Sequence, residues 1–287
     1  MNSFKYFIQF IIIIFLFIIF KLIGLKLSTY LSGKLFSLFG PLFRSNKLSY
    51  SNLTKALPQL NDTEIKNTLK IMWLNYGKIF AEYMFIKDFR KSKEFKKNII
   101  IENQNALEKI KNSNKPVIFI SGHFNNFELM AMHIEKSGID LAAIYRPLNN
   151  RFLNPIMEKI RKKYICKTQI KKGMSGTKEI LKYFKNGTSI ALMIDQRVSE
   201  GINVKFFNNN ALTTTIPAQF VKKFQADIVP IYIERLNGNN FKIKIIDPPQ
   251  FAKDESIEKI TLELNYILEK MIKNNPEQWI WTHNRWK

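Results

Sequence analysis

The chain has 287 residues, with 45 lysines and arginines against 23 aspartates and glutamates, which gives a formal charge of +22 at pH 7. Hydrophobic residues make up 46% of the sequence, which excludes a wholly disordered chain. The single cysteine, Cys166, excludes a disulfide framework and a cysteine-based zinc site, and it is typical of a reducing compartment. Only three histidines are present, so we expect no metal centre.

The excess of positive charge favours an anionic partner. A sequence so rich in Ile, Lys and Asn also acquires part of that excess from coding composition alone. No spacing typical of a helix-turn-helix or a zinc finger occurs, and aromatic residues are not interleaved with basic ones as in base-stacking modules. Nucleic acid is therefore not expected as a partner, and a membrane surface or an acidic protein remains.

The N-terminal region contains an apolar run of nineteen residues, Phe7 to Leu25, interrupted only by Gln9 and Lys21. About 20 apolar residues are enough to cross the hydrocarbon core of a bilayer. The run is longer than the roughly 7–15 residues of a signal-peptide core, and no small-residue cleavage site follows it. We therefore predict an uncleaved transmembrane anchor over residues 1–26 rather than a signal peptide.

The distribution of charge around this segment predicts its orientation. One lysine, Lys5, precedes the span, whereas basic residues accumulate at its end and after it: Lys21, Lys26, Lys34, Arg44 and Lys47. The positive-inside rule then places the bulk of the protein in the cytoplasm. This location agrees with the single cysteine.

Residues 27–97 are predicted to form a helical, membrane-proximal region. Leu27–Phe43 is apolar but interrupted by polar residues and Pro41, which suits a helix lying on the bilayer or packing against the main domain. An amphipathic helix is predicted over Glu64–Phe85, and a basic, broken segment follows at Arg90–Lys97.

From residue 98 to residue 287 short apolar runs alternate with amphipathic helices. Strands are predicted at Ile99–Glu102, Pro116–Ser121, Leu141–Tyr145, Ser189–Ile194, Ile228–Ile233 and Phe241–Ile246. Helices are predicted at Ala106–Lys111, Phe127–Lys136, Pro155–Lys163, Thr177–Phe184, Ile216–Phe224 and Ile257–Lys273. Alternation of this kind predicts an α/β domain with a mixed, largely parallel sheet flanked by helices. Ligands of such sheets bind beyond the carboxyl ends of the strands.

The first strand end of chemical interest carries a histidine. The strand Val117–Ser121 runs into Gly122 and His123, and a helix with Glu128 in its first turn follows. An imidazole in this loop can reach the carboxylate, and a histidine oriented by a carboxylate is a general base for an alcohol. The alternative is that Asn125 and Glu128 form only a capping box.

Further blocks follow this motif in chain order. They are S-G-H-F-N-N-F-E at 121–128, Y-R-P-L-N-N at 145–150, I-D-Q at 194–196, V-K-F-F at 204–207 with the threonines at 213–215, and W-T-H-N-R-W-K at 281–287. In this order they resemble the lipid A biosynthesis acyltransferases, a branch of the glycerolipid acyltransferase-like superfamily with an H-x4-[D/E] motif. Asn208 stands where the family usually has glycine. The terminal block is typical of the lipid A branch.

The resemblance implies acyl transfer from acyl-acyl carrier protein to a hydroxyl of a lipid A precursor, with no cofactor and no covalent acyl-enzyme. His123 would take the proton from the hydroxyl, and Glu128 would orient and charge-balance the imidazole. Arg146 would bind an acceptor phosphate or stabilise the oxyanion. Asn125 and Asp195 are the other substrate-side candidates, and Asp195 is expected to hold the site in shape unless it is only a loop cap.

The predicted location is the bacterial inner membrane, with a single crossing and the catalytic domain on the cytoplasmic face. Two other functions fit parts of the sequence. One is a glycerophospholipid acyltransferase of the 1-acylglycerol-phosphate type, against which the terminal block argues. The other is a non-catalytic, membrane-tethered protein that binds lipid or carrier protein, which an activity assay distinguishes from both enzymes. The lysine-rich surface is either a docking site for the acidic carrier protein or a solvated face.

Overall fold

A seven-stranded sheet forms the centre of the computed structural model, which describes residues 2–287. Its strands are β1 Ile99–Glu102, β2 Ile118–Ser121, β3 Leu141–Tyr145, β4 Thr168–Lys171, β5 Ser189–Met193, β8 Ile228–Arg235 and β9 Phe241–Ile245. A separate antiparallel hairpin pairs β6 Ile202–Phe206 with β7 Asn209–Thr213. The sheet order is β1-β9-β8-β2-β5-β3-β4, and neighbours are parallel except β8 and β9. The mixed, largely parallel sheet is thus confirmed.

Helices flank the sheet and make up the N-terminal third of the chain. They are α1 Asn2–Ile23, α2 Leu25–Phe43, α3 Asn46–Ala56, α4 Asp62–Glu82, α5 Ile86–Lys91, α6 Lys93–Lys96, α7 Gln104–Ser113, α8 Glu128–Lys136, α9 Asn154–Tyr164, α10 Met174–Lys185, α11 Ile216–Phe224 and α12 Ile257–Asn274. Short 3₁₀ helices occupy Tyr83–Phe85 and Pro276–Gln278. The long helix predicted at Glu64–Phe85 is therefore α4 with its 3₁₀ extension.

The register of the central strands determines where the chain leaves the sheet. Strand β2 lies between β5 and β8, and Ser121 at its end pairs with Met193 at the end of β5. Because parallel strands present their carboxyl ends at one edge, the loops after β2 and β5 emerge side by side. His123 and Asp195 lie on these two loops.

The helix pair α2–α4 packs through small residues. A Cβ atom at Gly77 on α4 would collide with the backbone of Ser32, and one at Gly40 on α2 would collide with the Trp73 ring. The Ser32 hydroxyl donates to the Gly77 carbonyl oxygen at 2.7 Å. Helix α4 itself begins at a capping box in which Asn61 and Glu64 satisfy each other's backbone N–H groups. The two helices therefore form a rigid, closely packed pair.

Several elements were not anticipated from the sequence: α3, β4, the β6–β7 hairpin, and the short helices α5 and α6, which lie at and before the segment predicted to be broken. The edge strand β4 reads Thr-Gln-Ile-Lys, and only Ile170 in it is buried, so it lacks the apolar run of a central strand. The hairpin alternates buried and exposed positions over only five residues in each strand. Such short patterns give little indication of a strand in the sequence, because packing against the rest of the fold determines whether these segments form strands.

The N-terminal helices match two expectations in part. The segment Ser3–Ile23 of α1 is long and apolar enough to cross a membrane. Helix α2 packs on α4 through one face, as one of the two alternatives predicted, and exposes large apolar residues such as Leu38 and Leu42 on the other. That this exposed face lies on the bilayer stays a prediction. The division of the chain at residues 26 and 97 stays a prediction.

Candidate active site

The loop after β2 brings its backbone unusually close to the loop after β5. A Cβ atom at Gly122 would lie 3.0 Å from the Phe124 ring, 3.1 Å from Leu268 and 3.3 Å from the Asp195 Cβ. Glycine leaves this space free, and the next residue, His123, can then approach Asp195 through its backbone as well as through its ring.

The central pair of the site is His123 and Asp195. The His123 Nδ1 lies 2.8 Å from one Asp195 carboxylate oxygen, and the His123 backbone N–H donates to the other oxygen at 2.8 Å. The indole N–H of Trp279 donates to that same second oxygen at 2.9 Å. The carboxylate is almost fully buried, whereas the imidazole is 21% exposed. Because the carboxylate engages Nδ1, Nε2 is the ring nitrogen left for a substrate.

The electrostatics of the pair make the imidazole a stronger base. Burial by itself would lower the pKa of His123, but the charge and hydrogen bond of Asp195 outweigh it, so the pKa of His123 is raised above 6.5. Burial likewise opposes ionisation of Asp195, yet the imidazolium and the donated hydrogen bonds lower the pKa of Asp195 to about 2. The aspartate therefore stays ionised over the whole working range of pH.

Glu128 has a different partner from the one expected. Its carboxylate accepts from the Arg161 guanidinium at 2.8 Å and from the Tyr83 hydroxyl at 3.2 Å. The prediction that Glu128 hydrogen-bonds His123 is wrong, because Glu128 opens α8 and faces α9, where Arg161 lies. Its negative charge is still close enough to raise the pKa of His123, after the larger effects of burial and Asp195.

The capping alternative is also wrong. No side chain caps α8, whose N-cap is Phe127. The Asn125 amide instead donates to Gln278, and its oxygen accepts from the Arg235 guanidinium at 3.2 Å. Asn125 itself adopts a left-handed backbone with φ of 38°, which asparagine tolerates better than most residues.

A buried ion pair supports the loop that carries Asn125 and Asn126. Arg235, the last residue of β8, forms two hydrogen bonds with Glu82, the last residue of α4, at 2.5 and 3.1 Å. Glu82 also accepts from Asn126 at 3.1 Å, and its side chain is fully buried. Both asparagines of the motif are therefore tied to one salt bridge. Neither charged residue was anticipated, because 153 positions separate them and no local spacing links them.

The remaining candidate, Arg146, follows directly after β3 and is exposed. It is part of neither the His123–Asp195 pair nor the Glu82–Arg235 network. The arginine that pairs with Glu128 of the motif is the partly buried Arg161, which the sequence presents only as one residue of a basic run on α9.

The terminal block 281–287 closes around the site. The Asn52 amide donates to the carbonyl oxygens of Trp281 and His283 at 2.9 and 2.7 Å, and the Arg285 guanidinium donates to Thr213 at 2.7 Å. The His283 Nε2 accepts from the backbone N–H of Arg197, two residues after Asp195. The block therefore fixes the chain segment that carries the aspartate.

Cys166 is buried and its thiol donates to the Leu141 carbonyl oxygen at 2.9 Å. Burial raises the pKa of the thiol to about 12, so it stays protonated and is a poor nucleophile. We expect Cys166→Ser to leave turnover within a few-fold of the parent, since serine can make the same hydrogen bond. Mass spectrometry of the protein during turnover provides the check, because an acyl group trapped on Cys166 would contradict this prediction.

A histidine held by a carboxylate at the strand ends of an α/β sheet is an arrangement that can provide a general base. The whole chain, residues 1–287, matches the family of bacterial lipid A biosynthesis acyltransferases. It is 23% identical over 237 residues to lipid A biosynthesis acyltransferase 2 of Shigella flexneri, covering 80% of this chain and 74% of that protein.

The chain therefore belongs to the bacterial lipid A biosynthesis acyltransferase family. It is an acyltransferase of lipid A synthesis, and a lipid A precursor is its substrate. The two other functions considered from the sequence, a glycerophospholipid acyltransferase and a non-catalytic binder, do not fit this family.

Proposed function

We propose that the chain transfers a fatty acyl group from acyl-acyl carrier protein to a hydroxyl of a lipid A precursor, with His123 as the general base. The observation that carries this proposal is the His123–Asp195 pair at the carboxyl edge of the sheet, with Nδ1 held by the carboxylate at 2.8 Å. No cofactor is needed for this reaction, because the thioester donor already carries an activated acyl group.

The reaction proceeds in one ternary complex. His123 Nε2 takes the proton of the acceptor hydroxyl while that oxygen attacks the thioester carbonyl carbon. Asp195 stabilises the imidazolium that forms. The tetrahedral intermediate then collapses, the carbon–sulfur bond breaks, and the imidazolium returns the proton to the departing carrier-protein thiolate. The new ester, the free thiol and neutral His123 complete the cycle.

The other candidates are assigned supporting roles. Glu128 adds negative charge near the imidazolium and holds Arg161 in place through their ion pair. Arg146 is exposed at the strand edge, where its guanidinium can bind an acceptor phosphate or the developing oxyanion. The side chain of Asn125 forms hydrogen bonds with Gln278 and Arg235, so we assign it to holding the loop in place rather than to contacting substrate.

The location we propose is the cytoplasmic face of the bacterial inner membrane. A free, buried cysteine and an acidic carrier-protein donor both suit that compartment, and the charge of +22 suits anionic lipid and carrier protein alike. A single crossing by α1 would satisfy the charge distribution. Ser3 near the start of α1 and Lys21 near its end nevertheless both contact the rest of the protein, which favours a helix that does not cross the bilayer.

The direct test uses the purified full-length protein in detergent with acyl-acyl carrier protein and either a lipid A precursor or 1-acylglycerol phosphate. We expect mass spectrometry to find one added acyl chain on the lipid A precursor only. Cells lacking the protein should make lipid A that is short of one secondary acyl chain. Acylation of 1-acylglycerol phosphate alone, or intact lipid A in those cells, would refute the proposed function.

The pH dependence tests the role of Asp195. A general base must be neutral, so activity falls as pH drops through the raised pKa of His123. In Asp195→Asn the carboxylate charge is lost while burial still disfavours the imidazolium, so the acid limb of kcat/KM should move to lower pH. The plateau should fall by roughly 10²-fold or more, because the imidazolium is no longer stabilised.

Trp279→Phe is the matched control for this variant. It removes one hydrogen bond to the carboxylate but keeps the charge, so its acid limb should move less than that of Asp195→Asn. An unshifted acid limb in Asp195→Asn would mean that Asp195 does not set the basicity of His123.

A further inference from the structure

Helix α1 touches the rest of the protein at both of its ends. Near its start, the Arg151 guanidinium donates to the Ser3 hydroxyl at 2.6 Å, and the Asn150 amide donates to the Tyr6 carbonyl oxygen at 2.8 Å. Near its end, Lys21 forms a salt bridge with Asp88. The helix is therefore fastened to the domain along its whole length.

One side of α1 makes these contacts. Phe7 and Phe10 pack on the Phe152 ring, with ring centroids 5.6 and 6.1 Å apart. Further along, Phe17 and Phe20 are buried against residues of α4. These positions recur at helical spacing, so a single stripe faces the protein.

The opposite side of α1 is apolar and uncovered, and α2 continues it. Among the side chains that the structure describes, nineteen large hydrophobic residues are exposed, and fifteen of them lie on these two helices. Phe7, at the edge of the packed stripe, is one of them, and the other fourteen are Phe4, Ile8, Ile11, Ile12, Phe15, Ile18, Leu22, Leu27, Tyr30, Leu31, Leu35, Leu38, Phe39 and Leu42. Helix α2 turns its small residues inward, with Ser28 and Ser32 buried. Large apolar residues outward and small residues inward are the arrangement of a helix that faces lipid.

This geometry conflicts with a helix that crosses the bilayer away from its domain. From Ser3 to Lys21 the helix rises about 27 Å, which is almost the full thickness of a hydrocarbon core. A crossing helix would carry Ser3 to the far side, whereas its partner Arg151 is a charged, exposed residue of the α/β domain. Keeping both end contacts would draw that charged surface through the hydrocarbon, which is very costly.

We propose that α1 does not cross the bilayer but lies along one leaflet, so that α1 and α2 form a single lipid-embedded surface and both ends of α1 stay on the side of the catalytic domain. Exposed lysines around this surface supply the complementary charge for anionic lipid: Lys5, Lys26 and Lys34. This proposal rests on the proposed membrane location but not on the proposed reaction, and its tests do not measure turnover.

Sided labelling of the full-length protein tests the position of the helix start. In a Cys166→Ser background, Ser3→Cys and Lys253→Cys provide single thiols at the start of α1 and on an exposed loop of the domain. A membrane-impermeant maleimide is applied to right-side-out and inside-out vesicles. We expect both thiols to label from the same face. Labelling of Ser3→Cys from the face opposite to Lys253→Cys overturns the proposal.

A cross-link decides the matter if Ser3→Cys is shielded from both faces. The double variant Phe7→Cys and Phe152→Cys replaces two rings that contact each other, so a short bifunctional maleimide can span the two thiols. We expect this reagent to join them both in detergent and in native membranes. Failure to cross-link in membranes overturns the proposal, because it shows that the helix start leaves the domain there.

The depth of α1 in the bilayer tests whether its uncovered side contacts lipid. A fluorophore is attached at one of three positions on α1, through Phe4→Cys, Phe15→Cys or Leu22→Cys. Its fluorescence quenching is measured in bilayers whose lipids carry bromine at one position of the acyl chain. A helix along one leaflet places the three labels at one depth and gives equal quenching. Strong quenching at Phe15→Cys with weak quenching at both ends indicates a crossing, and no quenching at any site indicates a second copy of the chain covering the face. Either result overturns the proposal.

Discussion

His123→Ala should lower kcat by about 10²–10⁴, the usual cost of losing a general base. The protein should remain folded, because His123 is a partly exposed loop residue and its backbone hydrogen bond to Asp195 does not depend on the ring. Steady-state kinetics with acyl-acyl carrier protein and the lipid A precursor provide the measurement. Binding of the acceptor should change far less than kcat.

The matched control is His133→Asn, which changes the histidine on α8. Burial, and then the positive charges of neighbouring lysines, lower the pKa of His133 to about 4, so this residue is neutral and acts only in packing. Its substitution should leave kcat within a few-fold of the parent. Equal turnover in His123→Ala and His133→Asn, with both proteins folded, would contradict the general-base mechanism.

Arg235→Met should lower the free energy of unfolding by about 3–5 kcal/mol, because it leaves the carboxylate of Glu82 buried and unpaired. The Arg235 side chain is 4% exposed and that of Glu82 is fully buried, so water cannot replace the lost partner. Asn125 loses a hydrogen-bond donor in the same variant, so kcat should fall as well. Unfolding in detergent solution, followed by near-UV circular dichroism, measures the loss of stability.

Two further variants make this prediction specific. Lys66→Met breaks the solvent-exposed pair with Asp62 and should lower the free energy of unfolding far less than Arg235→Met does, because water solvates the charge that is left. The double variant Glu82→Met with Arg235→Met removes both buried charges and should be more stable than Arg235→Met alone. If Arg235→Met costs no more than Lys66→Met, the buried pair does not hold the motif loop in place.

The sequence contained much of the fold, because its core strands are short apolar runs and its helices are strongly amphipathic. Strand β3 and helix α11 have the predicted limits, and the ends of α12 differ from the prediction by one residue at most. The polar edge strand β4 was missed, since its pairing with β3 rather than its composition makes it a strand.

The site was predictable only in part for a related reason. His123 and Asp195 each follow an apolar strand, and both were singled out, but the sequence does not give the order of strands in the sheet. The nearby Glu128 therefore looked like the partner of His123, whereas the register of β2 against β5 places Asp195 there. The pairing of Glu128 with Arg161, like that of Glu82 with Arg235, depends on tertiary packing between distant helices and strands.

Helix α4 connects two tasks that are usually carried by separate parts of a protein. Its Gly77 packs against the backbone of Ser32 on α2, the helix that turns its large apolar residues outward, and its last residue, Glu82, holds Asn126 in the motif loop. A mutation that shifts α4 to suit a different lipid environment would also move the support of His123. With the lipid-embedded surface and the general base that we propose, adaptation to a new membrane and preservation of catalysis are coupled through α4, and we expect changes along this helix to be selected for both at once.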